Sequence, residues 1–305
     1  MKTTRNVLLI IASVCIVLGI VIAAGAVAAS GFRIKNMNAG KYETKTHYVS
    51  EKFDKIDIGT VDADVYIIPG DRDEARVECL SSERVTYSVE VENGVLRIER
   101  HDDTQWWEHI GFFISFPSFH VKVYLPEEHY ELLTIVTTSG DISIDSGMHV
   151  SEVQLKTVSG DIVSNGDITE SFKASTTSGE LRLSNVVGTD VSFHTTSGDI
   201  DLSDITAKSI ETSSVSGDMN FTSVTAVEDF EIKTTSGDVY FRDCDAYQGL
   251  SLKTVSGDVK GSFLTDKSFD VHTVSGDIRV PQSVTNAPRC VINTTSGDVS
   301  IKIME

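Results

Sequence analysis

The sequence predicts an all-β chain: a parallel β-solenoid of about 19–20 residues per coil, wound right-handed and preceded by an N-terminal transmembrane helix. Three observations carry this. A T-[TV]-S-G-D-[IV] phrase recurs from residue 137 onward, with glycines at Gly140, Gly160, Gly179, Gly198, Gly217, Gly237, Gly257, Gly276 and Gly297. Apolar residues alternate with polar ones on both sides of each glycine, the period of half-buried strands, and no helical period of 3.6 competes with it. At the start, Val7 to Ala29 runs for 23 residues without a charge.

Residues 1–30 read as a short basic tail followed by an anchor. A helix of that length spans about 35 Å against a bilayer core of about 30 Å. Ala26-Val27-Ala28 offers a signal-peptidase pattern, but the apolar run exceeds the usual 7–15 residues of a signal-peptide core, which favours an uncleaved anchor. Val14 before Cys15 is not the small residue a lipoprotein site needs. Lys2 and Arg5 precede the span while Arg33, Lys35, Lys41 and Lys45 follow it, so the positive-inside rule does not place the C-terminal bulk outside. The layout of a short basic tail before a large acidic, Ser/Thr-rich region does place it there.

Residues 31–52 are polar and read as a tether. Residues 53–132 read as an atypical β-section that closes the open end of the stack, as repeat arrays require. Within it, Pro69-Gly70-Asp71 marks a turn, and Val89-Glu90-Val91 passes through Glu92-Asn93-Gly94 into Val95-Leu96-Arg97-Ile98 as a hairpin. Val121 to Leu125 is a strand stopped by Pro126. The stretch 105–116 is unlike the rest. Trp106, Trp107, Phe112, Phe113 and Phe116 make it either a cap on the first coil or an aromatic loop that touches a membrane interface, a glycan or a protein partner.

Residues 133–305 hold the repeat. Seven and five residues before each glycine, and two and four after it, the slots are mostly apolar, as in Leu133, Ile135 and Ile142 of the first copy. Two short strands per copy, stacked on the same strands of the next coil, put like residues in ladders about 4.8 Å apart. The slot three before the glycine carries Thr in eight copies and Ser214 in the other, a hydroxyl ladder at the start of a turn. Glycine itself is expected to supply positive φ at the corner. The chain stops at Ile301-Lys302-Ile303-Met304-Glu305, which predicts an unpaired sheet edge.

The slot after the glycine is acidic: Asp141, Asp161, Glu180, Asp199, Asp218, Asp238, Asp258, Asp277 and Asp298. Like charges at 4.8 Å repel by about 1 kcal/mol per pair in water, so something must offset them. Backbone N–H groups accepted within Asx-type turns would do so. A ladder of Ca²⁺ sites is the weaker alternative, since one carboxylate per coil supplies few ligands. No other cofactor is implied. His194 and His272 occupy a slot shared with Lys, Ser and Asn, a solvated face; His101, His109, His120 and His129 have no metal-ligand spacing. Cys79, Cys244 and Cys290 read as small core residues, with Cys244 in the slot of Val186, Ile205, Val224 and Leu264. The sequence contains no G-x-S-x-G, P-loop or G-x-G-x-x-G motif.

Asp and Glu number 45 against 26 Lys and Arg, a net charge of −19 that disfavours nucleic acid and anionic lipid surfaces as partners. A β-helix enzyme such as a polysaccharide lyase would need Asp, Arg or Lys gathered on one face, and the outward slots read as mixed, with no basic cluster. With Val123-Tyr124-Leu125-Pro126, Leu133-Thr134-Ile135 and Thr138-Ser139-Gly140-Asp141-Ile142 in view, the chain resembles the bacterial "putative adhesin" family, over about residues 50–305. That resemblance implies a non-enzymatic β-solenoid of unknown function, often membrane-anchored, and similar to proteins found beside envelope-stress systems. The expected function is therefore a surface-exposed binding, adhesion or scaffolding module at the cell envelope, with an envelope protein or glycan as partner. The alternative is a cytoplasm-facing regulatory scaffold or sensor.

Overall fold

The computed structural model describes Gly19 and residues 42–103 and 118–304. The chain separates into two compact units, residues 1–42 and 43–305, and the β-structure belongs to the second. The expected anchor, Val7 to Ala29, lies outside the described residues apart from Gly19. Among the described residues no helix is long and apolar enough to cross a membrane.

Seven strands precede the repeat: β1 (Glu43–Val49), β2 (Lys55–Gly59), β3 (Ala63–Pro69), β4 (Ala75–Ser81), β5 (Val85–Glu92), β6 (Val95–Asp102) and β7 (Phe119–Leu125). The early laps of the repeat add β8 (His129–Val136), β9 (Ile142–Ile144), β10 (His149–Lys156), β11 (Ile162–Ser164) and β12 (Asp167–Ser175). β13 (Leu181–His194) and β14 (Ile200–Ser213) run unbroken from one phrase to the next. The later laps supply β15 (Met219–Ala226), β16 (Asp229–Lys233), β17 (Val239–Ala246), β18 (Gly249–Lys253) and β19 (Val259–Phe263). The last are β20 (Ser268–His272), β21 (Ile278–Arg279), β22 (Arg289–Asn293) and β23 (Val299–Ile303).

The laps stack in parallel, and the register is the one the slots dictate. Leu133 faces Val153 and Val153 faces Phe172; on the other side of the corner Ile142, Ile162, Leu181, Ile200 and Met219 form one continuous row. These rows are fully buried. Each large side chain so removed from water contributes about 1.5–3 kcal/mol, and only the neighbouring laps provide the cover. Phenylalanines stack between laps, as in Phe221 and Phe241 with ring centres 5.4 Å apart.

Glycine is needed at the corner for a reason other than the expected one. Of the nine phrase glycines, only Gly257 and Gly276 have φ above zero. Instead, a Cβ at any of the nine would lie closer than 3.0 Å to a backbone carbonyl of the adjacent lap. Glycine stacks on glycine: Gly160 on Gly140, Gly179 on Gly160, Gly198 on Gly179. Under the first of them lies Ala63, within Thr60-Val61-Asp62-Ala63-Asp64-Val65. That stretch is a degenerate copy of the phrase, and the N–H of Asp141 donates to Asp64 Oδ1 at 3.0 Å as the later acidic residues do to one another.

The laps do not stack in chain order at either end. β2 pairs with β6 on one side and β8 on the other, and β3 lies between β7 and β9. The outermost N-terminal lap is therefore β6 and β7. β5 covers β6, β4 covers β7 and β1 covers β4, all antiparallel. These antiparallel strands cover that end of the stack, and residues 43–49, within the stretch read as tether, form one of them. The β5–β6 turn is the expected hairpin, with Asn93 and Gly94 at φ 53° and 79°.

At the other end β18 pairs with β22, not with β20, and β19 pairs with β23. β20 and β21 lie beyond them. The chain skips a level after Phe263, forms the outermost lap, and returns through residues 280–288 to fill the gap. β23 is interior only at Val299 and Ser300, which β21 covers; Ile301–Ile303 pair with β19 alone, so the expected edge persists there, now beside the outermost lap. The edge of that lap is blunted, because Ser283 Oγ accepts the N–H of Phe269 (2.9 Å) and donates to its carbonyl (3.1 Å).

A second corner falls inside the long strands. Asn185, Asp204, Ser223 and Asp243 occupy equivalent positions with φ between 53° and 60°. Asn and Asp tolerate this left-handed conformation better than other non-glycine residues. Ser223→Asn is thus expected to stabilise the protein by about 0.5–1 kcal/mol. A urea midpoint at or below that of wild type would count against this account.

Candidate functional site

Two features of the outer surface carry chemistry: the acidic ladder along the glycine corner and a groove near the C-terminal laps. In the ladder, Oδ1 of each aspartate except the outermost, Asp277, accepts the backbone N–H of the acidic residue one lap on. Asp141 accepts from Asp161, Asp161 from Glu180, Asp199 from Asp218, Asp218 from Asp238 and Asp238 from Asp258, each at 2.8 Å. Through the reordered end the run continues from Asp258 to Asp298 (2.9 Å) and from Asp298 to Asp277 (2.8 Å). The donor belongs to the next lap, not to the residue's own turn. The second oxygen of Asp238, Asp258 and Asp277 accepts from Tyr240 Oη, Lys260 Nζ and Arg279 respectively. These donors offset the repulsion within the row. The hydrogen bonds from Lys260 and from the Asp298 N–H hold the Asp258 carboxyl below its ordinary range. Glu180 departs from the row: its carboxylate turns to Arg182, and burial, with Asp201 beside it, raises its pKa.

A carboxylate used as an acceptor can be replaced by an amide. Asp218→Asn is therefore expected to change stability by less than about 1 kcal/mol, whereas Asp218→Ala loses about 1–2 kcal/mol. Equal effects of the two on a thermal melt would contradict the ladder role. Among the described residues no group of three or more His, Cys, Asp or Glu is placed to hold a metal ion.

The remaining sequence candidates fall as follows. His194 and His272 are exposed, and His194 Nδ1 meets Ser213 Oγ at 2.7 Å. His129 and Ser151 (2.9 Å) and His101 and Ser88 (3.0 Å) form similar pairs. Among the described residues no carboxylate hydrogen-bonds to any of these three histidines. Cys79, Cys244 and Cys290 are buried and unpaired, and burial pushes their thiols up to about 12, 11 and 12. Cys244 faces Phe263, and the exposed Leu264 leaves the slot expected for it, because the register shifts after Phe241. Trp106, Trp107, Phe112, Phe113 and Phe116 lie outside the described residues.

The groove was missed in the sequence, where no basic cluster was visible. Arg242 of β17, Lys260 of β19, Lys302 of β23 and Arg279 of β21 line a cavity of about 510 Å³. Lys260, Ser300 and Arg279 are in register across β19, β23 and β21. Consecutive stacking would have put β21 against β19 and β23 outermost; the reordered laps place β23 between them, with Lys302 two residues beyond Ser300 and opposite Ser262. Gly261 also lines it: it occupies the slot filled by Phe241 and Ile301 in the flanking laps, and a Cβ there would meet the Phe241 backbone. Four cations against two carboxylates, Asp277 and Asp298, line the site on a chain of net charge −19. Lys260 pairs with Asp258 (2.6 Å) and Arg279 with Asp277 (3.0 Å). Among the described residues Arg242 and Lys302 form no ion pair and stand exposed.

Comparison with solved structures finds a protein described as a "putative adhesin" from Bacteroides fragilis NCTC 9343. It is 15% identical, the match covers 87% of this chain and 97% of that one, and the TM-score is 0.48. Another, described as a "putative lipid binding protein" from Parabacteroides distasonis ATCC 8503, is 16% identical over 86% and 97%, with a TM-score of 0.49. A "putative adhesin" from Parabacteroides merdae ATCC 43184 is 14% identical over 85% and 97%, with a TM-score of 0.41. No curated protein matches the chain. The family model described as Toastrack DUF4097 matches residues 53–242 and 224–305, so the chain belongs to that family.

Proposed function

We propose that this chain is a non-enzymatic binding or scaffolding module of the bacterial cell envelope, anchored by Val7 to Ala29 with its bulk outside the cell. The observation that carries the reading is the outer surface. Each exposed slot presents a row of side chains fixed at lap spacing on a backbone that neighbouring laps hold rigid, and such rows suit recognition of an extended partner. The histidine–serine pairs favour binding over catalysis too, since a nucleophile needs its base oriented by a third group. The net charge of −19 argues against nucleic acid. Trp106, Trp107, Phe112, Phe113 and Phe116 are the aromatic contacts offered to an envelope protein or glycan.

Protease shaving of intact cells is the test. The domain should be released, and full protection would overturn the outward orientation. That result would favour the cytoplasm-facing regulatory scaffold, for which Arg33, Lys35, Lys41 and Lys45 beyond the span already speak. Replacing Trp106 and Trp107 by Ala should leave folding intact and abolish capture of envelope material; loss of folding would instead make that segment a cap.

A further inference from the structure

We propose that the groove between β17 and β21 binds an acidic oligosaccharide, with its oxyanions held by Arg242 and Lys302. The proposal deepens the envelope-binding reading and rests on it. The charge pattern comes first. A chain of net charge −19 has few cations to place, and several of the exposed ones pair with carboxylates, as Lys233 does with Glu231 (2.8 Å). The groove instead gathers four cations from four strands. Two of these are tied to neighbouring aspartates, which fixes their position. Arg242 and Lys302 keep their donors for a ligand. Guanidinium and ammonium groups serve carboxylate and phosphate alike, and the bonds to them are about twice as strong as neutral ones.

The rest of the lining suits a sugar better than an acidic peptide. Ser262 and Ser300 offer hydroxyls and Gly261 offers backbone, while Phe241 and Val299 are buried and the exposed Met304 gives an apolar surface on which a sugar ring can pack. A volume of about 510 Å³ lies within the range of small-ligand sites.

The test uses the full chain in detergent micelles and isothermal titration with four probes: a uronate trimer, a phosphorylated trisaccharide, an uncharged trisaccharide and a glutamate tetrapeptide. The uronate or the phosphorylated sugar should bind, which of the two does so identifying the source of the oxyanion, and affinity should fall as salt rises. Arg242→Gln combined with Lys302→Gln should weaken that binding at least tenfold with an unchanged melting temperature. Lys156→Gln with Lys253→Gln, on the strands before the phrase, should change nothing. Binding unaffected by the first pair, equal binding of the uncharged sugar, tighter binding of the tetrapeptide, or no binding of either oxyanion probe would each overturn the proposal. Should the Arg242/Lys302 variant still be captured by envelope extract, the groove assignment falls while the envelope module stands. Shortening of the bound oligomer would overturn the non-enzymatic reading itself.

Discussion

Gly198→Ala is expected to destabilise the protein by about 3 kcal/mol or more. The added methyl would meet the carbonyl oxygen and carbon of Gly179, both backbone atoms, and Thr195 Oγ1 at 3.1 Å. No rotamer change relieves a clash between two main chains. Either the laps separate at that corner, breaking the Ser197–Thr177 backbone bond of 2.9 Å, or the sheet on both sides shifts register. Each lap touches only its neighbours, so the damage should concentrate between the laps of Gly179 and Gly198 and appear as faster amide exchange there. Gly59→Ala is the matched control. A Cβ at Gly59 meets nothing within 4 Å, and the substitution should leave stability unchanged within about 0.5 kcal/mol or raise it slightly. Indistinguishable urea midpoints for Gly198→Ala and wild type would sink the stacked-glycine account.

The second large effect is expected at Lys267, whose ammonium is buried with the carboxylate of Asp245, both side chains 1% exposed. Thr265 bonds to the same pair, donating to Asp245 Oδ1 at 3.0 Å and accepting from Lys267 Nζ at 2.6 Å. This cluster sits where the chain leaves β19 and skips a level, and the Lys267 carbonyl accepts the N–H of Val284 from the return loop. Lys267→Met would strand a buried carboxylate, at a cost of about 3–5 kcal/mol. Adding Asp245→Asn removes the stranded charge and keeps an acceptor for the Ala246 N–H, now bonded at 2.8 Å, so the double variant should recover at least half of the loss. A double variant no better than Lys267→Met would show that the ammonium acts through its bulk rather than its charge.

The strands were legible because burial at alternate positions is a local property. The apolar slots read from the phrase, from Leu133 to Val299, lie inside or against the core except Ile278, which is exposed on the outermost lap. The first lap was not recognised because Ala63 replaces the glycine and Asp62 the serine; the remaining signal, Thr60 with Asp64-Val65, is short. The second corner was missed because Asn185, Asp204, Ser223 and Asp243 are ordinary polar residues whose backbone alone marks them. Asp245 and Lys267 are separated by 22 residues, and nothing in the local pattern of either announces a buried pair. The aromatic cluster at 106–116 was visible in composition, yet composition does not say what it touches.

The sequence by itself determined the lap: its length, its two strands, its buried and exposed slots and the glycine at its corner, all of which follow from a phrase repeated at fixed spacing; that the glycine answers crowding between laps rather than positive φ is visible only in the structure. Only the tertiary structure decided the order of the laps. Every copy presents the same apolar slots and the same backbone donors, so any lap can sit on any other at nearly equal energy. The choice falls to the few contacts that differ, the Asp245–Lys267 pair, the cover that Ser283 gives to Phe269 and the antiparallel strands over β6 and β7. The basic groove is a product of that choice, which is why its four cations look scattered along the chain and meet only in the fold.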